Sequence, residues 1–119
     1  MNSESIFEST KKLCAVFEED DHFDADLIMY INSVFNILNQ MGVGPDIPFS
    51  ITDASAVWTD FTEDPYVLGM VKPYMGMKVR LMFDTSGLPS SVIESYNKQI
   101  AEHEWRLNVA VDPPFNRTS

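Results

Sequence analysis

The segment from Leu27 to Pro45 carries no charged residue, although the chain around it is strongly acidic. Its apolar residues recur at the i, i+3, i+4, i+7 spacing of one helix face, which predicts an amphipathic helix. The other face is polar but uncharged, which is typical of a surface that meets another protein chain. We therefore expect a helix that is buried on more than one side. Its apolar face comprises Leu27, Ile28, Ile31, Val34, Phe35, Leu38 and Met41, and its polar face Asn32, Ser33, Asn36 and Gln40.

Length and composition limit the chain to one small folded unit. The 119 residues are enough for a single hydrophobic core, and 45% hydrophobic and 22% charged residues are ordinary values for a folded protein. No apolar run is long enough to span a bilayer, and the N-terminus lacks the hydrophobic core of a secretion signal. The single cysteine, Cys14, fits a reducing compartment and a place in the core. We expect one helical domain over residues 1–109 and an extended or flexible tail over residues 110–119.

Charge is unevenly distributed along the chain. Residues 1–64 have 13 acidic and two basic side chains, a net −11, whereas residues 65–119 have five acidic and six basic ones, a net +1. One interpretation is a head-to-tail contact between identical subunits, in which acids of one subunit face bases of the next. The other is a solvated acidic surface that keeps a monomer soluble. Without clustered lysine and arginine, the composition does not favour a protein that reads nucleic acid.

Start and stop signals predict an all-α protein, a small bundle of about four helices with a long central loop. The first helix is expected over residues 5–17 and the second over residues 24–41, with Asp24 as its cap and Gly42 as its left-handed stop. Phe23 is spaced for a hydrophobic staple with Ile28. In the first helix we expect Ile6, Leu13 and Phe17 on the inner side and Lys11 and Lys12 on the outer side.

The centre of the chain reads as a loop followed by two further helical segments. Residues 43–52 contain two prolines and fit a loop or a short extended arm. Asp53 is expected to cap a short helical segment. Asp64 before Pro65 then marks the start of a helix that reaches about Phe83.

Pro73 predicts a kink or a break inside that helix, since it removes a backbone donor. The last helix is expected to begin with a capping box of Ser91 and Glu94 and to end near Asn108. Its inner stripe comprises Ile93, Tyr96, Ile100, His103 and Leu107.

Two histidines and an acidic turn are the features that come nearest to a chemical site. The acidic turn at residues 18–26 lacks the glycine and the distal glutamate of a calcium-binding loop, so helix capping and solvated charge explain it better. His103 and Glu104 begin like a zincin motif, but Leu107 stands where the second histidine is required. An enzyme site would require His22 and His103 to converge with acids in one pocket. We expect no catalytic residue, no metal site and no cofactor.

Two segments fit either an interaction face or the core. The stretch from Gly69 to Phe83 combines methionines with basic residues, and its methionines either adapt to a partner or fill gaps beside Pro73. Trp105 next to Arg106 is either an interface anchor or a core tryptophan with a surface arginine. A further alternative for the whole chain is an acidic helical protein that mimics the charge of DNA and inhibits a basic partner.

Three segments taken together resemble a known family. They read LCAVFEEDDHFDADLIMYINSVFNILNQMGVG, VKPYMGMKVRLMFD and IAEHEWRLNV, in this order between Leu13 and Val109. This pattern is similar to the head-tail connector, or adaptor, proteins of long-tailed double-stranded DNA phages and prophages. KVRLMFD and EWRLN are its most specific parts. Pro73 and Gly76 depart from the family pattern, which is a more continuous helix.

The resemblance implies a structural virion protein, not an enzyme, that forms a ring of about twelve subunits at the phage neck. The ring would join the portal protein of the head to a tail-proximal neck or stopper protein. DNA would pass through its lumen without sequence-specific binding, and no membrane would be involved. It would be assembled in the host cytoplasm. The expected subunit-interface residues are Asp20, Asp21, Asp24, Asp26, Asn32, Asn36, Lys72, Lys78, Arg80, Trp105 and Arg106. The tail residues expected to dock on the portal or a neighbour are Pro113, Pro114, Phe115 and Arg117.

Overall fold

The computed structural model describes residues 4–14, 21–83 and 87–111. These ranges contain five helices and, as their only pairing of extended segments, one isolated antiparallel bridge between Ser5 and Val57. The prediction of a small all-α bundle is therefore confirmed. The helices are α1 (Ile6–Leu13), α2 (Asp24–Gln40), α3 (Trp58–Phe61), α4 (Pro65–Phe83) and α5 (Ser90–Val111).

Helix α4 is the centre of the bundle and packs against α1, α2 and α5. It begins as predicted, because the carboxylate of Asp64 accepts a hydrogen bond from the backbone N–H of Tyr66 at 2.9 Å. Pro73 lies inside a helix that is continuous to Phe83, so of the two predicted outcomes, a kink or a break, the break does not occur. An interior proline costs a helix about 3 kcal/mol. Burial of α4 against three neighbours, which leaves Tyr74 fully buried, outweighs that cost.

Helix α2 buries the apolar face that its sequence predicts. Leu27, Ile31, Val34, Phe35 and Leu38 are all buried. The helix ends at Gln40, and Gly42 follows with φ of 84°, the left-handed conformation expected of the stop.

The start of α2 differs from the prediction. Asp24 is the first residue of the helix and Phe23 is the cap, so neither the aspartate cap nor the staple register with Ile28 is correct. The carboxylate of Asp24 is instead 2.9 Å from Lys11 Nζ. The ring of Phe23 packs edge to face on Phe83, with 5.0 Å between centroids. Asp24 and Phe23, the two side chains that the predicted cap and staple require, thus contact residues of other helices instead.

Helix α1 buries Ile6 as predicted, but Lys11 and Leu13 lie on the opposite sides from those predicted, and Phe17 lies outside the described residues. Lys11 is only 2% exposed, whereas Leu13 is 53% exposed. Because Lys11 reaches Asp24 and lies 5.5 Å from the ring centroid of Phe7, its charge is accommodated inside. The helix ends at Leu13, earlier than predicted, and Cys14 after it is buried as expected.

Two further capping predictions are wrong. The carboxylate of Asp53 accepts hydrogen bonds from the backbone N–H and the hydroxyl of Ser55, and these bonds lower the pKa of Asp53. The turn that they close lies before α3, so Asp53 does not cap that helix. Helix α5 begins at Ser90, which places Ser91 inside it, and the helix continues past Asn108 to Val111. In both cases the helix begins or ends at a different residue from the one that the polar side chain predicted.

The central loop, residues 41–57, folds back onto α2. The ring of Phe49 packs against Phe35 and Phe61, with centroids 5.0 Å and 5.6 Å apart. The side chain of Asn32 donates to the carbonyl oxygen of Ile51 at 3.0 Å and accepts from its N–H at 2.8 Å. The loop therefore covers part of the uncharged face of α2.

Candidate assembly surface

Helix α5 is packed on one side and open on the other. Its contacts are mainly with α4, and within the described part of the helix only Ile100 and Leu107 are buried. Trp105 is 67% exposed, so it is not a core residue. Arg106 beside it donates to Glu102 at 2.7 Å, and both side chains are exposed. The open side of α5 thus presents one large aromatic ring among charged groups.

A hydrogen bond holds α5 to the centre of α4. The hydroxyl of Tyr74, which is fully buried, donates to Glu104 Oε2 at 2.8 Å. Burial first, and then this contact with Glu104, raises the pKa of Tyr74 far above its usual value. The hydroxyl therefore remains a neutral donor, and it fixes the register between the two helices.

An apolar groove lies where α1, α4 and α5 meet, and we call it the Leu13 groove. Its volume is about 140 Å³, and it is lined by Leu13, Pro73, Gly76, Met77 and Tyr96. The side chain of Leu13 lies directly on Gly76, where an added Cβ would come within 2.6 Å of Leu13 Cδ1. Gly76 thus permits the close approach of α1 to α4, and the exposed leucine forms one wall of the groove.

A second cavity adjoins the Leu13 groove and shares Leu13 with it. Its volume is about 240 Å³, and its rim carries Lys12, Lys72 and Glu4. Lys72 Nζ lies 3.3 Å from Glu4 Oε1. Lys12 is exposed and forms no ion pair with any residue that the structure describes. The apolar groove therefore has a polar, partly basic border.

Two of the predicted basic interface residues, Lys78 and Arg80, lie on the C-terminal half of α4. Lys78 Nζ is 6.0 Å from the ring centroid of Tyr74, and Arg80 is half-buried. Within the described ranges neither forms an ion pair. The contact of Phe83 with Phe23 brings this end of α4 next to residues 21–26 of the same subunit.

The remaining predicted interface residues are scattered over the surface. Asp21, Asp26 and Asn36 are exposed, while Asp24 and Asn32 bind partners within the subunit. Asp24, Asp26, Asn32 and Asn36 belong to α2, whereas Trp105 belongs to α5. Asp20 and the tail residues Pro113, Pro114, Phe115 and Arg117 lie outside the described residues.

The two histidines are placed at different levels of the bundle. His22 packs against Phe23, which contacts Phe83 at the end of α4, whereas His103 precedes the glutamate that binds Tyr74. Nine residues of α4 separate those levels, about 13 Å along its axis. Among the described residues no group of three acidic, histidine or cysteine side chains could hold a metal ion, and no helix there is long and apolar enough to cross a membrane.

Sequence reasoning missed the Leu13 groove. Leu13 was expected in the core, Gly76 appeared only as a helix breaker, and Tyr96 as an ordinary member of an inner stripe. The available signal was a glycine in the middle of an otherwise bulky helix, which often marks a close approach of another element. The partner element was not readable, because the two residues that meet there are 63 positions apart.

Comparison with known proteins bears on these observations. A model of the family described as phage connector protein matches residues 6–114, a range that includes all five helices. Neither the curated proteins nor the solved structures gave a significant match. The family match agrees with the resemblance of the three sequence segments and covers most of the chain. The chain therefore belongs to the phage connector protein family.

Proposed function

We propose that this protein is a structural component of the phage neck, where a ring of about twelve copies joins the portal vertex of the head to the tail. Membership of the phage connector protein family over residues 6–114 carries the proposal. That family is a structural one and not a class of enzymes. The ring contacts the portal protein on one side and a tail-proximal neck or stopper protein on the other, and it continues the DNA channel.

The geometry of the subunit supports assembly into a ring. A ring forms when one surface of each copy binds a different surface of the next and the rotation closes. Helix α5 offers an open side with an exposed aromatic ring. The exposed acids of the first half of the chain are negatively charged, whereas Lys78 and Arg80 on α4 are positively charged. Unlike surfaces of this kind favour a directional contact over a symmetric dimer.

The net charge of −10 is compatible with a channel for DNA. Acidic side chains in a lumen repel phosphate groups, so DNA passes without adhering and without its sequence being read. The protein then resides in the neck of the virion after assembly in the host cytoplasm.

Assembly on the portal tests this function. We would mix the full chain with the portal protein of the same phage, then measure particle mass by light scattering and image the particles by negative-stain electron microscopy. We expect a ring stacked on the portal. A chain that stays monomeric or dimeric with the portal and is absent from purified virions would overturn the proposal. Binding of a basic host protein by such a monomer would favour the DNA-mimic alternative.

Charge reversal tests the proposed contact between unlike halves. In the ring, Lys78, Arg80 and Arg106 of one subunit face acids in residues 20–26 of the next. Reversing Lys78 and Arg80 to glutamate should weaken assembly and alter its salt dependence, because attraction becomes repulsion. The charge-conserving double variant Lys78→Arg, Arg80→Lys is the control. Unchanged assembly and salt dependence would remove this contact and leave the ring proposal standing.

The tail has a separate role in the proposal, as a segment that docks on the portal or on a neighbouring subunit. Deleting residues 112–119 should then reduce head-tail joining, measured as the ratio of tailed particles to full tailless heads. Normal joining after the deletion would exclude this role.

A further inference from the structure

We infer that Trp105 of one copy inserts into the Leu13 groove of the next copy, and that this contact joins successive subunits. The inference rests on the ring assembly proposed above and adds the two surfaces that meet. The occupant of the groove is thus a second copy of this chain, with its indole ring as the inserted group.

Trp105 cannot fill the groove of its own subunit. Tyr96 lines the groove, and Trp105 follows it by nine residues on the same helix. Nine residues are two and a half helical turns, so the two side chains leave α5 on opposite sides. Trp105 therefore points away from the groove, and only another molecule can bring an indole ring to it.

The size and lining of the groove suit an aromatic ring. Its volume is about 140 Å³ and its lining is chiefly apolar. An apolar cavity of about 150 Å³ in another protein takes up benzene, so the groove has room for the six-membered part of an indole ring. Leu13, which forms one wall, is 53% exposed, and an inserted ring would remove this apolar surface and its own from water. Tryptophan is also among the residue types that most often dominate binding energy at interfaces.

The charges around the two surfaces are complementary. Lys12 lines the cavity that adjoins the groove and is exposed. The open side of α5 carries exposed Glu94 and Glu102 together with Lys98 and Arg106, of which Arg106 is paired with Glu102. A neighbour that seats its Trp105 in the groove can place Glu94 near Lys12. This complementarity between two parts of one chain favours a second copy as the occupant.

The contact also has the directionality that a ring requires. The indole of Trp105 and the Leu13 groove are different surfaces on opposite sides of α5, so each subunit donates one tryptophan and receives another. A chain of such contacts continues in one direction until it closes. A dimer with a single contact leaves one groove and one tryptophan unused. A symmetric dimer uses both grooves and both tryptophans only if the two insertions are reciprocal.

Disulfide capture tests the contact directly in the full chain. In a Cys14→Ala background that keeps Trp105, variants Ala101→Cys, one helical turn before Trp105 on α5, and Tyr96→Cys would be mixed, with the portal protein present, and oxidised. On a non-reducing gel we expect covalent dimers from the mixture and none from either variant alone. A single chain that carries both cysteines should give a ladder of oligomers. Met29→Cys mixed with Tyr96→Cys is the control, because Met29 is also exposed but lies on α2, away from Trp105.

Matched substitutions measure the contribution of each surface. Trp105→Ala should raise the protein concentration needed for assembly by at least tenfold, whereas Tyr66→Ala, at a residue of equal exposure, should not. Leu13→Asp should have the same effect as Trp105→Ala, with Met29→Asp as its control. Circular dichroism and melting temperature verify that each variant is folded.

The outcomes separate this inference from the proposed function. Rings that form on the portal without the cross-link between positions 101 and 96, and with no effect of Trp105→Ala, refute the inference and leave the ring function intact. A cross-link from position 96 to the portal, and none to position 101, assigns the groove to the portal and also refutes it. Absence of any oligomer, alone or with the portal, overturns both.

Discussion

The ammonium nitrogen of Lys11 lies 2.9 Å from Asp24 Oδ1, and this ion pair joins α1 to the first turn of α2. Lys11 is almost fully buried, while the side chain of Asp24 is 35% exposed. The ammonium group also lies 5.5 Å from the ring centroid of Phe7. The pair therefore combines a charge inside the core with a charge near its edge.

This asymmetry predicts unequal effects of removing the two partners. Asp24→Ala should destabilise the protein by about 2–3 kcal/mol, because a buried ammonium loses its carboxylate. Lys11→Met should cost about 1 kcal/mol or less, since it leaves a half-exposed carboxylate at the favourable end of the α2 dipole. Urea unfolding of both variants and of the double variant measures the coupling. A larger cost for Lys11→Met would contradict this view of the pair.

Asn32 should be important for the central loop. Asn32→Ala removes both hydrogen bonds to the backbone of Ile51 and should cost about 2 kcal/mol. It should also make residues 43–57 more accessible to proteases, because the loop loses its attachment to α2. Asn36→Ala, on the exposed part of the same helix, is the control. Equal proteolysis of the two variants would show that the aromatic contacts alone hold the loop.

Two glycines should respond in opposite directions to the same substitution. Gly44 has φ of 95°, and a Cβ there would lie 2.5 Å from Phe61 Cε1, so Gly44→Ala should destabilise by about 2 kcal/mol or more. Gly69 lies inside α4 with nothing within 4 Å of an added Cβ. Gly69→Ala should therefore stabilise by about 0.5–1 kcal/mol. Thermal unfolding of both variants shows whether the signs differ.

The bond between Tyr74 and Glu104 should contribute to the placement of α5. Tyr74→Phe removes the donor and should cost about 1 kcal/mol, because the carboxylate of Glu104 can be hydrated only partly at this half-buried site. Glu104→Gln keeps an acceptor for the hydroxyl and should cost less. Hydrogen exchange along α5 reports the effect locally, and faster exchange only in Tyr74→Phe is the expected result.

Cys14 should make stability depend on alkaline pH. Burial raises the pKa of its thiol from 9.0 to about 11, so the unfolded chain loses this proton at a lower pH than the folded one. The folded state binds more protons between these values, and its stability therefore falls from about pH 9 to pH 11. Cys14→Ala should reduce this loss by up to about 2 kcal/mol. Parallel pH profiles for the two proteins would show that another group is responsible.

Local patterns correctly predicted several elements of the fold. The apolar spacing of α2, the stop at Gly42 and the start at Asp64 and Pro65 all depend on neighbours within a few residues. The failed predictions at Asp24, Lys11 and Asp53 share a different cause. In each case a polar side chain formed a stronger or closer contact than the one assumed, and for Lys11 and Asp24 that partner is on another helix.

The candidate assembly surface was predictable only in part. Trp105 beside Arg106 stood out in the sequence as a possible interface anchor, and the structure places its ring in solvent. The Leu13 groove was not predictable. It exists because Leu13, Gly76 and Tyr96 come together from three helices, and the side of α5 that faces it follows from how that helix packs on α4.

The sequence by itself determined that this protein is an acidic all-α domain with an uncharged, strongly apolar second helix, because helix periodicity, stop signals and net charge are properties of short segments. The resemblance to connectors was likewise visible in the order of three segments. Only the tertiary structure decided that Lys11 is buried, that Leu13 is exposed, that Asn32 holds the central loop and that α5 has a free side. Those outcomes depend on which distant side chains meet, and packing energy between helices exceeds the local preferences that a sequence pattern records.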